Sequence, residues 1–274
     1  MPPLVCTLGD LLLDVIVRLE QPLAAGADAT ARTTLSPGGQ AANVAAWVAE
    51  LGGRARVVAK RGDDDGGRLA AERLAERGVD VAGPLVAGGN GVIVSLVAPG
   101  GERTMASDRG AAPDLRPEEL DPAWFAGCRH LHLSGYALLR EPIRFAAVSA
   151  AELARGAGAR VVVDLSSWSA IRDFGPERFR RSLEELAPDV VFCNEEEDKI
   201  VGGRVPGAAW ILKRGAAGCS FDGDERSAPP VEDVVDSTGA GDALAAGWLV
   251  GGPDLALEAA ARCLSQAGAL PRAG

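Results

Sequence analysis

The chain has 274 residues, which is enough to bury a sizeable core in one large domain. It carries 38 acidic against 28 basic side chains, a net charge of −10, and no run of Lys or Arg forms a basic stripe. This balance argues against nucleic-acid binding, whose affinity depends on neutralising phosphates. Hydrophobic residues at 47% and charged residues at 24% are typical of an ordered globular protein.

The cysteines and the first residues indicate the compartment. The five cysteines lie far apart and form no C-x-x-C pair, so neither a disulfide framework nor a zinc knuckle is predicted. The opening segment MPPLVCTLGD has no basic region and no long apolar region, and nowhere do 18 apolar residues follow one another. We therefore expect a cytoplasmic protein that makes no membrane contact.

Apolar, β-rich segments alternate with helical patterns along the chain. The first segment, Leu4 to Asp10, predicts a buried strand that ends in a glycine turn. Similar segments follow as ARVVAK, HLHLSG, RVVVDLS, DVVFCNE, AWILKRG and GCSFDG. Helices are predicted at Gln40 to Leu51, Arg68 to Arg77, Pro142 to Arg155, Pro176 to Leu186, Ala240 to Leu249 and Asp254 to Gln266. The alternation predicts an α/β fold with a doubly wound, mostly parallel sheet.

Two segments interrupt this alternation, at about residues 14–36 and 90–108. In both, apolar and polar residues alternate around glycine-rich turns, which predicts antiparallel strands with one solvated face. The two segments are distant in sequence but can pair into one small sheet. We expect a single domain over residues 1–274, with this sheet as a lid over the strand ends, where ligands bind in such folds.

The segment VVDSTGAGDALAAGW predicts a glycine-rich turn that leads into a helix of small residues. The N–H groups of such a turn form a site for an anion. It is not a dinucleotide fingerprint, because Leu244 stands at the third glycine position, and it is not a Walker A loop, because no Lys-Ser or Lys-Thr follows the glycines. The alternative is a plain helix start, in which Ser237 or Thr238 caps and Asp242 favours the helix dipole.

A carboxylate inside an anion site indicates a reaction between an alcohol and a phosphate. A hydroxyl hydrogen-bonded to Asp242 loses its proton as it attacks a phosphoryl group. The N–H groups of Gly239, Ala240 and Gly241 then stabilise the charge that develops. Asp242 is therefore the predicted general base.

The motifs resemble those of the ribokinase-like carbohydrate kinases, the PfkB family. DSTGAGD is similar to the family's C-terminal signature D-T-x-G-A-G-D, and SPGGQAANVAAWVAELG, residues 36–52, is similar to its N-terminal signature G-G-x-x-x-N-x-A. GDLLLD resembles G-D-x-x-x-D, NEEE resembles N-x-x-E, and LKRGAAG resembles the strand and turn that border the nucleotide. One loop departs from the family pattern: DLSSW, from Asp164 to Trp168, stands where many relatives have D-P-N-x-R.

The resemblance implies an ATP-dependent kinase that transfers the γ-phosphate to a hydroxyl of a small sugar, with Mg²⁺ bridging the phosphates. The sugar would be held by Asp10, Asp14, Gly38, Gly39 and Asn43. The nucleotide would be bound by Asn194, Lys213, Gly215, Gly218 and Thr238. Glu197 would hold Mg²⁺ through water, Asp236 would lie near a K⁺ ion, and two copies would dimerise through the lid.

The residue types agree with these roles. The two glycines let the backbone approach a polyol closely, and Asn43 offers a donor and an acceptor to vicinal hydroxyls. Taken alone, however, GGQAAN is equally a turn with a helix cap, and NEEE is a helix start with a capping carboxylate. His130 and His132 lie on one face of a strand, with no third metal ligand in sight, and are interpreted as packing residues.

The lid segments bear on the substrate class. Neither Leu11 to Gln40 nor Ala87 to Gly110 contains a Phe, Tyr or Trp, which favours a compact pentose or ketohexose over a flat nucleoside. Arg103 and Arg109 leave open a 2-keto-3-deoxy sugar acid, because a guanidinium pairs with a carboxylate. Two further alternatives are a sensor that binds sugar or nucleotide without catalysis and, more distantly, a Rossmann-type oxidoreductase.

Overall fold

The computed structural model describes residues 2–272. The strands are β1 (Leu4–Leu8), β2 (Leu12–Leu19), β3 (Ala31–Gly38), β4 (Arg54–Val58), β5 (Arg61–Gly62), β6 (Val79–Ala82), β7 (Leu85–Val86), β8 (Asn90–Val97), β9 (Arg103–Gly110), β10 (Cys128–Ser134), β11 (Arg160–Asp164), β12 (Val190–Asn194), β13 (Ala209–Lys213), β14 (Cys219–Phe221) and β15 (Asp224–Arg226). The α-helices are α1 (Gln40–Glu50), α2 (Asp65–Ala75), α3 (Ile143–Gly156), α4 (Trp168–Phe174), α5 (Pro176–Leu186), α6 (Glu195–Val201), α7 (Ala240–Gly251) and α8 (Pro253–Leu264).

A nine-stranded sheet forms the centre of the molecule, in the order β15-β14-β13-β12-β11-β10-β1-β4-β6. Its strands pair in parallel except at one edge, where β14 and β15 pair antiparallel. Strand β1 is buried along its whole length, as a parallel strand covered on both faces requires. Two hydrophobic clusters cover the two faces, one including residues of α1, α7 and α8 and the other residues of α3 and α5. The predicted doubly wound α/β fold is confirmed.

The lid is a four-stranded sheet in the order β3-β2-β8-β9. Each of its two hairpins is antiparallel, as predicted, but the two hairpins join through β2 and β8, which run parallel. The lid is therefore antiparallel within each hairpin and parallel where the two hairpins meet. Leu13 and Val92 are partners in the register, and both pack against the same core cluster at the start of their strands. Because both strands leave the core at this point, they run in the same direction.

Local capping explains where several helices begin. Helix α2 begins three residues before the predicted Arg68, because the Asp64 side chain accepts a hydrogen bond of 2.8 Å from the N–H of Gly67. The short helices α4 and α6 were not among the predicted helices. Ser167 caps α4, and a reciprocal capping box opens α6. No helix within residues 2–272 is long and apolar enough to cross a membrane.

Candidate active site

A cavity of about 370 Å³ lies between the carboxyl ends of the central strands and the lid. Five separate elements bring polar side chains into it. Asp10 follows β1, Asp14 lies on β2, Asn43 lies in the first turn of α1, Arg109 lies on β9 and Asp242 lies in the first turn of α7. All five are predicted site residues, and the fold brings them together from positions up to 232 residues apart in the chain.

Asp242 lies at the start of α7, directly after the glycine turn. Gly239 caps the helix with φ 80°, a left-handed conformation that glycine adopts without strain. Oδ2 of Asp242 accepts a hydrogen bond of 2.8 Å from Nδ2 of Asn43. Burial raises the pKa of Asp242 to about 7, against the opposing effects of the Asn43 amide and of the Lys213 ammonium. A carboxylate with a pKa near neutrality is suited to accept a proton.

Two buried oxygen atoms in the cavity have no hydrogen-bond partner within residues 2–272. They are Oδ1 of Asp14 and Oδ1 of Asn43. Burial also raises the pKa of Asp14 to about 6, although Arg103 lowers it. Buried polar atoms in native proteins are nearly always satisfied, so two unpaired acceptors lining one cavity fit a ligand that carries hydroxyl donors.

The two glycines of the N-terminal signature leave space for acidic residues. A Cβ on Gly38 would stand 2.1 Å from Oδ1 of Asp14, and a Cβ on Gly39 would stand 2.3 Å from the carbonyl oxygen of Asp10. Gly39 also has φ 94°. The space freed by the missing side chains is therefore taken by Asp14 and by the Asp10 backbone. These glycines make room for acidic residues, and Gly39 also lines the polar cavity.

Arg109 already has a carboxylate partner within the protein. Its Nε and one terminal nitrogen donate to the two oxygens of Asp10 at 2.7 and 2.8 Å, a bidentate pair between the lid and the core. The guanidinium also lies 5.9 Å from the ring centre of Tyr136. Arg103, the other arginine of interest, donates to the hydroxyls of Ser95 and Thr238.

Tyr136, Gln40 and Ser166 line the same cavity and were not predicted as site residues. Tyr136 belongs to a short 3-10 turn after β10, outside the two lid segments whose lack of aromatic residues was noted. The Gln40 Oε1 atom accepts hydrogen bonds from the hydroxyls of Ser134 at 2.6 Å and of Ser166 at 2.5 Å. Ser166 lies in the atypical DLSSW loop with φ 73°, a rare conformation for serine. This backbone conformation marks Ser166 as unusual, but it is visible in the structure and not in the sequence.

A second cavity of about 210 Å³ lies on the other side of the glycine turn. Lys213, Gly215 and Gly218 line it together with Ala240 and Gly241 of the turn. Its remaining walls are mainly apolar: Ala228, Pro229, Val231, Leu244, Leu257, Ala260, Ala261 and Leu264. Three of the five predicted nucleotide residues thus meet here, while Thr238 lines the first cavity and Asn194 lines neither. An apolar slot beside backbone N–H groups is suited to a flat base with a phosphate tail.

Asn194 and Glu197 form a reciprocal capping box at the start of α6. Asn194 Oδ1 accepts from the N–H of Glu197 at 2.8 Å, and Glu197 Oε2 accepts from the N–H of Asn194 at 2.9 Å. The NEEE segment is thus a helix start with a capping carboxylate, as the alternative interpretation of this motif predicted. Burial raises the pKa of Glu197, against the effect of Lys213, and Asp164 raises it further. No group of three or more metal-ligating side chains occurs within residues 2–272.

Asp236 joins the glycine turn to the C-terminal segment. Its two oxygens accept hydrogen bonds from the N–H groups of Thr238, at 2.9 Å, and Gly268, at 3.0 Å. Burial raises the pKa of Asp236, but hydrogen bonds from Thr238 and Gly268 outweigh it and leave the pKa below its usual value. Asp236 is therefore an ionised carboxylate that orders the turn.

His130 and His132 are core residues of the described structure. His132 is fully buried, and His130 packs edge-on against Trp248 at 6.0 Å between ring centres. Burial lowers both pKa values to about 4, so both rings are neutral at pH 7. This agrees with their interpretation as packing residues.

Comparison with known proteins agrees with this geometry. The model of the "pfkB family carbohydrate kinase" matches residues 2–270. An ATP-dependent ribose-1-phosphate kinase of Halopiger xanaduensis is 34% identical, over 94% of this chain and 90% of its own length. A fructokinase of Klebsiella pneumoniae is 32% identical, over 89% and 82%. A ribokinase II candidate from Escherichia coli, solved in complex with ATP and Mg²⁺, shares the fold with a TM-score of 0.82 at 22% identity, covering 97% of this chain and 94% of its own.

The family model spans nearly the whole chain, and residues of both signatures line the polar cavity. The predicted resemblance, the ribokinase-like fold and the enzyme class are confirmed. The chain belongs to the PfkB family of carbohydrate kinases, which are phosphotransferases.

Proposed function

We propose that the protein transfers the γ-phosphate of ATP to a hydroxyl of a small, neutral sugar, with Asp242 as general base. One observation carries this proposal: a single turn separates the two cavities and lines both. Thr238 and Asp242 face the polar cavity under the lid, whereas Ala240 and Gly241 face the apolar one. An acceptor and a nucleotide held on the two sides would place a hydroxyl and a phosphoryl group at the same turn.

The proton and phosphate transfers follow from this placement. The sugar hydroxyl donates to Asp242, which takes its proton as the oxygen forms a bond to the γ-phosphorus. The bond between that phosphorus and the β–γ bridging oxygen breaks, and ADP leaves with the electron pair. The N–H groups of Gly239, Ala240 and Gly241 at the start of α7 stabilise the charge on the phosphoryl oxygens.

On the acceptor side, Asp14 and Asn43 bind hydroxyls through their unpaired oxygens, while Gly38, Gly39 and Asp10 support them. On the nucleotide side, Lys213, Gly215 and Gly218 border the base and phosphates. Thr238, on the turn between the cavities, and Asn194, outside the cavity lining at the start of α6, are assigned to the same site from the resemblance. These roles extend the family resemblance to this chain.

The residues fit Mg²⁺ and K⁺ as follows. Glu197 uses Oε2 for its capping bond, which leaves Oε1 to bind Mg²⁺ through water, and carboxylate oxygens are the donors that Mg²⁺ prefers. When bound, Mg²⁺ would neutralise charge on the phosphates. Asp236 is ionised, and each of its oxygens retains lone pairs beyond the N–H bonds that it accepts, so it suits a K⁺ ion.

A neutral pentose or ketohexose is the favoured substrate, because the arginine side chains of the polar cavity already have hydrogen-bond partners within the protein. Arg109 is paired with Asp10, and Arg103 is bonded to two hydroxyls. Coupled assays of ADP release with a panel of pentoses, ketohexoses, sugar acids and nucleosides test the proposal. Turnover with neutral sugars supports it, and binding of ATP and sugar without turnover would identify a sensor instead.

A nucleoside is the second candidate, and Tyr136 is the observation in its favour. The tyrosine is 37% exposed and lines the polar cavity, where its ring offers a face for a base to stack on. The 2-keto-3-deoxy sugar acid remains the other alternative and requires Arg109 to exchange Asp10 for the substrate. The same substrate panel separates all three.

We also propose a cytoplasmic homodimer that forms through the lid. Val15, Leu35 and Val94 are register neighbours on the lid face that points away from the polar cavity. Leu35 is 38% exposed. A second copy of the chain would cover these apolar side chains. Sedimentation of the wild type and of Leu35→Glu tests this, since the substitution places a charge in the proposed contact.

A further inference from the structure

Lys213 lies between the two cavities, at the end of β13. Its Nζ donates a hydrogen bond of 2.8 Å to Oδ2 of Asp164, whose side chain is 1% exposed. Burial lowers the pKa of Lys213, but Asp164 and Glu197 outweigh it, so the net pKa is raised. Lys213 is therefore held as an ammonium in a largely buried position.

The ammonium adjoins the anion site of the glycine turn. A Cβ placed on Gly241 would stand 3.4 Å from Nζ of Lys213. Both residues line the nucleotide cavity, together with Ala240. The N–H groups at the start of α7 and the lysine ammonium therefore converge on one small volume next to Asp242.

Part of the hydrogen-bonding capacity of this ammonium is unused. An ammonium has three donors, and within residues 2–272 Asp164 is its one hydrogen-bond partner. A group that served only to balance buried carboxylates would need no opening to the nucleotide cavity. Donors left over at the anion site are suited to a phosphoryl oxygen.

We infer that Lys213 is a catalytic residue whose ammonium contacts the γ-phosphoryl group during transfer, and that Asp164 is the residue that positions it. The inference rests on the proposed kinase function and goes beyond general nucleotide binding. Lys213 keeps its proton throughout: the hydroxyl proton goes to Asp242, the new bond joins the sugar oxygen to phosphorus, and ADP leaves. The ammonium lowers the barrier by stabilising charge on the phosphoryl oxygens.

Lys213→Met tests this inference through kcat and its pH dependence. Because Lys213 lowers the pKa of Asp242, its removal shifts the acid limb of the rate profile to higher pH, and rates are therefore compared on the plateau above that limb. We expect the plateau kcat to fall about 10²–10³-fold, as on loss of one preorganised donor, with a smaller change in KM for ATP. Full recovery of kcat at high pH, or a change in KM alone, would overturn the inference.

Lys60→Met is the matched control. Lys60 is also a buried lysine in an ion pair, 2.6 Å from Glu119, but it lines neither cavity. We expect this variant to lose thermal stability and keep its kcat. An equal loss of kcat in both variants would attribute the effect to the fold and contradict the inference. Asp164→Asn should lower kcat less than Lys213→Met, because the ammonium remains but loses its partner.

A binding measurement keeps the inference testable if the sugar is missing from the panel. Mg·ADP raises Tm by mass action, and aluminium fluoride added to it mimics the phosphoryl group in transfer. We expect Lys213→Met to keep most of the Tm shift given by Mg·ADP and to lose the additional shift given by the fluoride. If the variant shows both shifts as the wild type does, Lys213 does not act on the phosphoryl group. Failure of the kinase proposal appears separately: the wild type itself then gains no additional Tm shift from the fluoride.

Discussion

The Asn43 amide donates a hydrogen bond of 2.8 Å to the Asp242 carboxylate across 199 positions of sequence. It thereby joins the N-terminal signature to the C-terminal one. The bond restrains the orientation of the carboxylate by holding its Oδ2 atom. The two signatures form one unit around the reacting hydroxyl.

Replacing Asp242 with Asn tests its role as base. The amide has nearly the same shape and can still accept from Asn43, but it cannot take a proton. We expect kcat to fall by ~10²–10⁴-fold while ATP affinity is preserved. Steady-state rates and calorimetric titration with a non-hydrolysable ATP analogue measure the two quantities. Turnover close to that of the wild type would remove Asp242 from the mechanism.

The pH dependence of kcat/KM reports on the same carboxylate. The raised pKa of about 7 means that Asp242 is partly protonated at neutral pH and inactive as a base in that form. Asp14, with a pKa of about 6, titrates just below it. We therefore expect kcat/KM for the sugar to rise from pH 5 to pH 8 and then level. A profile that is flat over this range would contradict the assignment of a buried carboxylate as base.

The same raised pKa predicts a cost in stability. A carboxyl whose folded pKa lies above its unfolded value stabilises the fold below the unfolded pKa, and this contribution is lost as the pH rises through about 7. The amide of Asp242→Asn does not titrate, so the variant does not lose this stability as the pH rises. We expect the variant to be more stable than the wild type at pH 8, with the difference shrinking toward pH 4. Urea unfolding at several pH values checks the sign, and a variant less stable than the wild type at pH 8 would disprove it.

Asp14 and Asn43 should affect the sugar more than the nucleotide. Replacing either with Ala removes an acceptor that a substrate hydroxyl would satisfy, and leaves that hydroxyl unpaired. We expect kcat/KM for the sugar to fall about tenfold or more, corresponding to ~1.4 kcal/mol. ATP affinity should stay within a few-fold of the wild type. The reverse pattern, loss of ATP affinity with sugar affinity intact, would show that the two cavities are exchanged.

The sequence predicted the central fold well, because its signal is local. Buried strands such as β1 are continuous apolar segments, and helices such as α5 bury residues at helical spacing. The parallel junction of β2 and β8 could not be predicted, since it depends on where two distant hairpins leave the core. Tyr136 was missed for the same reason: its turn reaches the cavity only through the tertiary structure.

The sequence identified residues that line the polar cavity, Asp242 and Asn43 among them, whereas their roles stay predictions. The neighbours of the glycines could not be predicted, because the atoms that occupy the space around Gly38 and Gly39 come from β2 and from the segment after β1. The pairing of Arg109 with Asp10 was likewise invisible, as the two residues lie 99 positions apart. Partners of this kind decide whether a charge is available to a substrate.

The final prediction concerns the substrate class and follows from the pairing of Arg109 with Asp10. Because Asp10 already occupies the Nε edge of the Arg109 guanidinium, a sugar carboxylate competes with it for that edge, whereas a neutral sugar does not. We expect kcat/KM to be higher for ribose or fructose than for 2-keto-3-deoxygluconate and adenosine in the wild type. Arg109→Ala should leave this order unchanged.

Asp10→Asn is the informative companion, because it releases the guanidinium without removing it. We expect this variant to gain activity on 2-keto-3-deoxygluconate relative to neutral sugars, and the double change with Arg109→Ala to lose that gain. Measurement of kcat/KM for the four substrates in all four proteins completes the cycle. A wild type that prefers the sugar acid, with the preference lost in Arg109→Ala, would show that the arginine exchanges its partner for the substrate. Adenosine as the best substrate would instead assign the cavity to a nucleoside stacked on Tyr136.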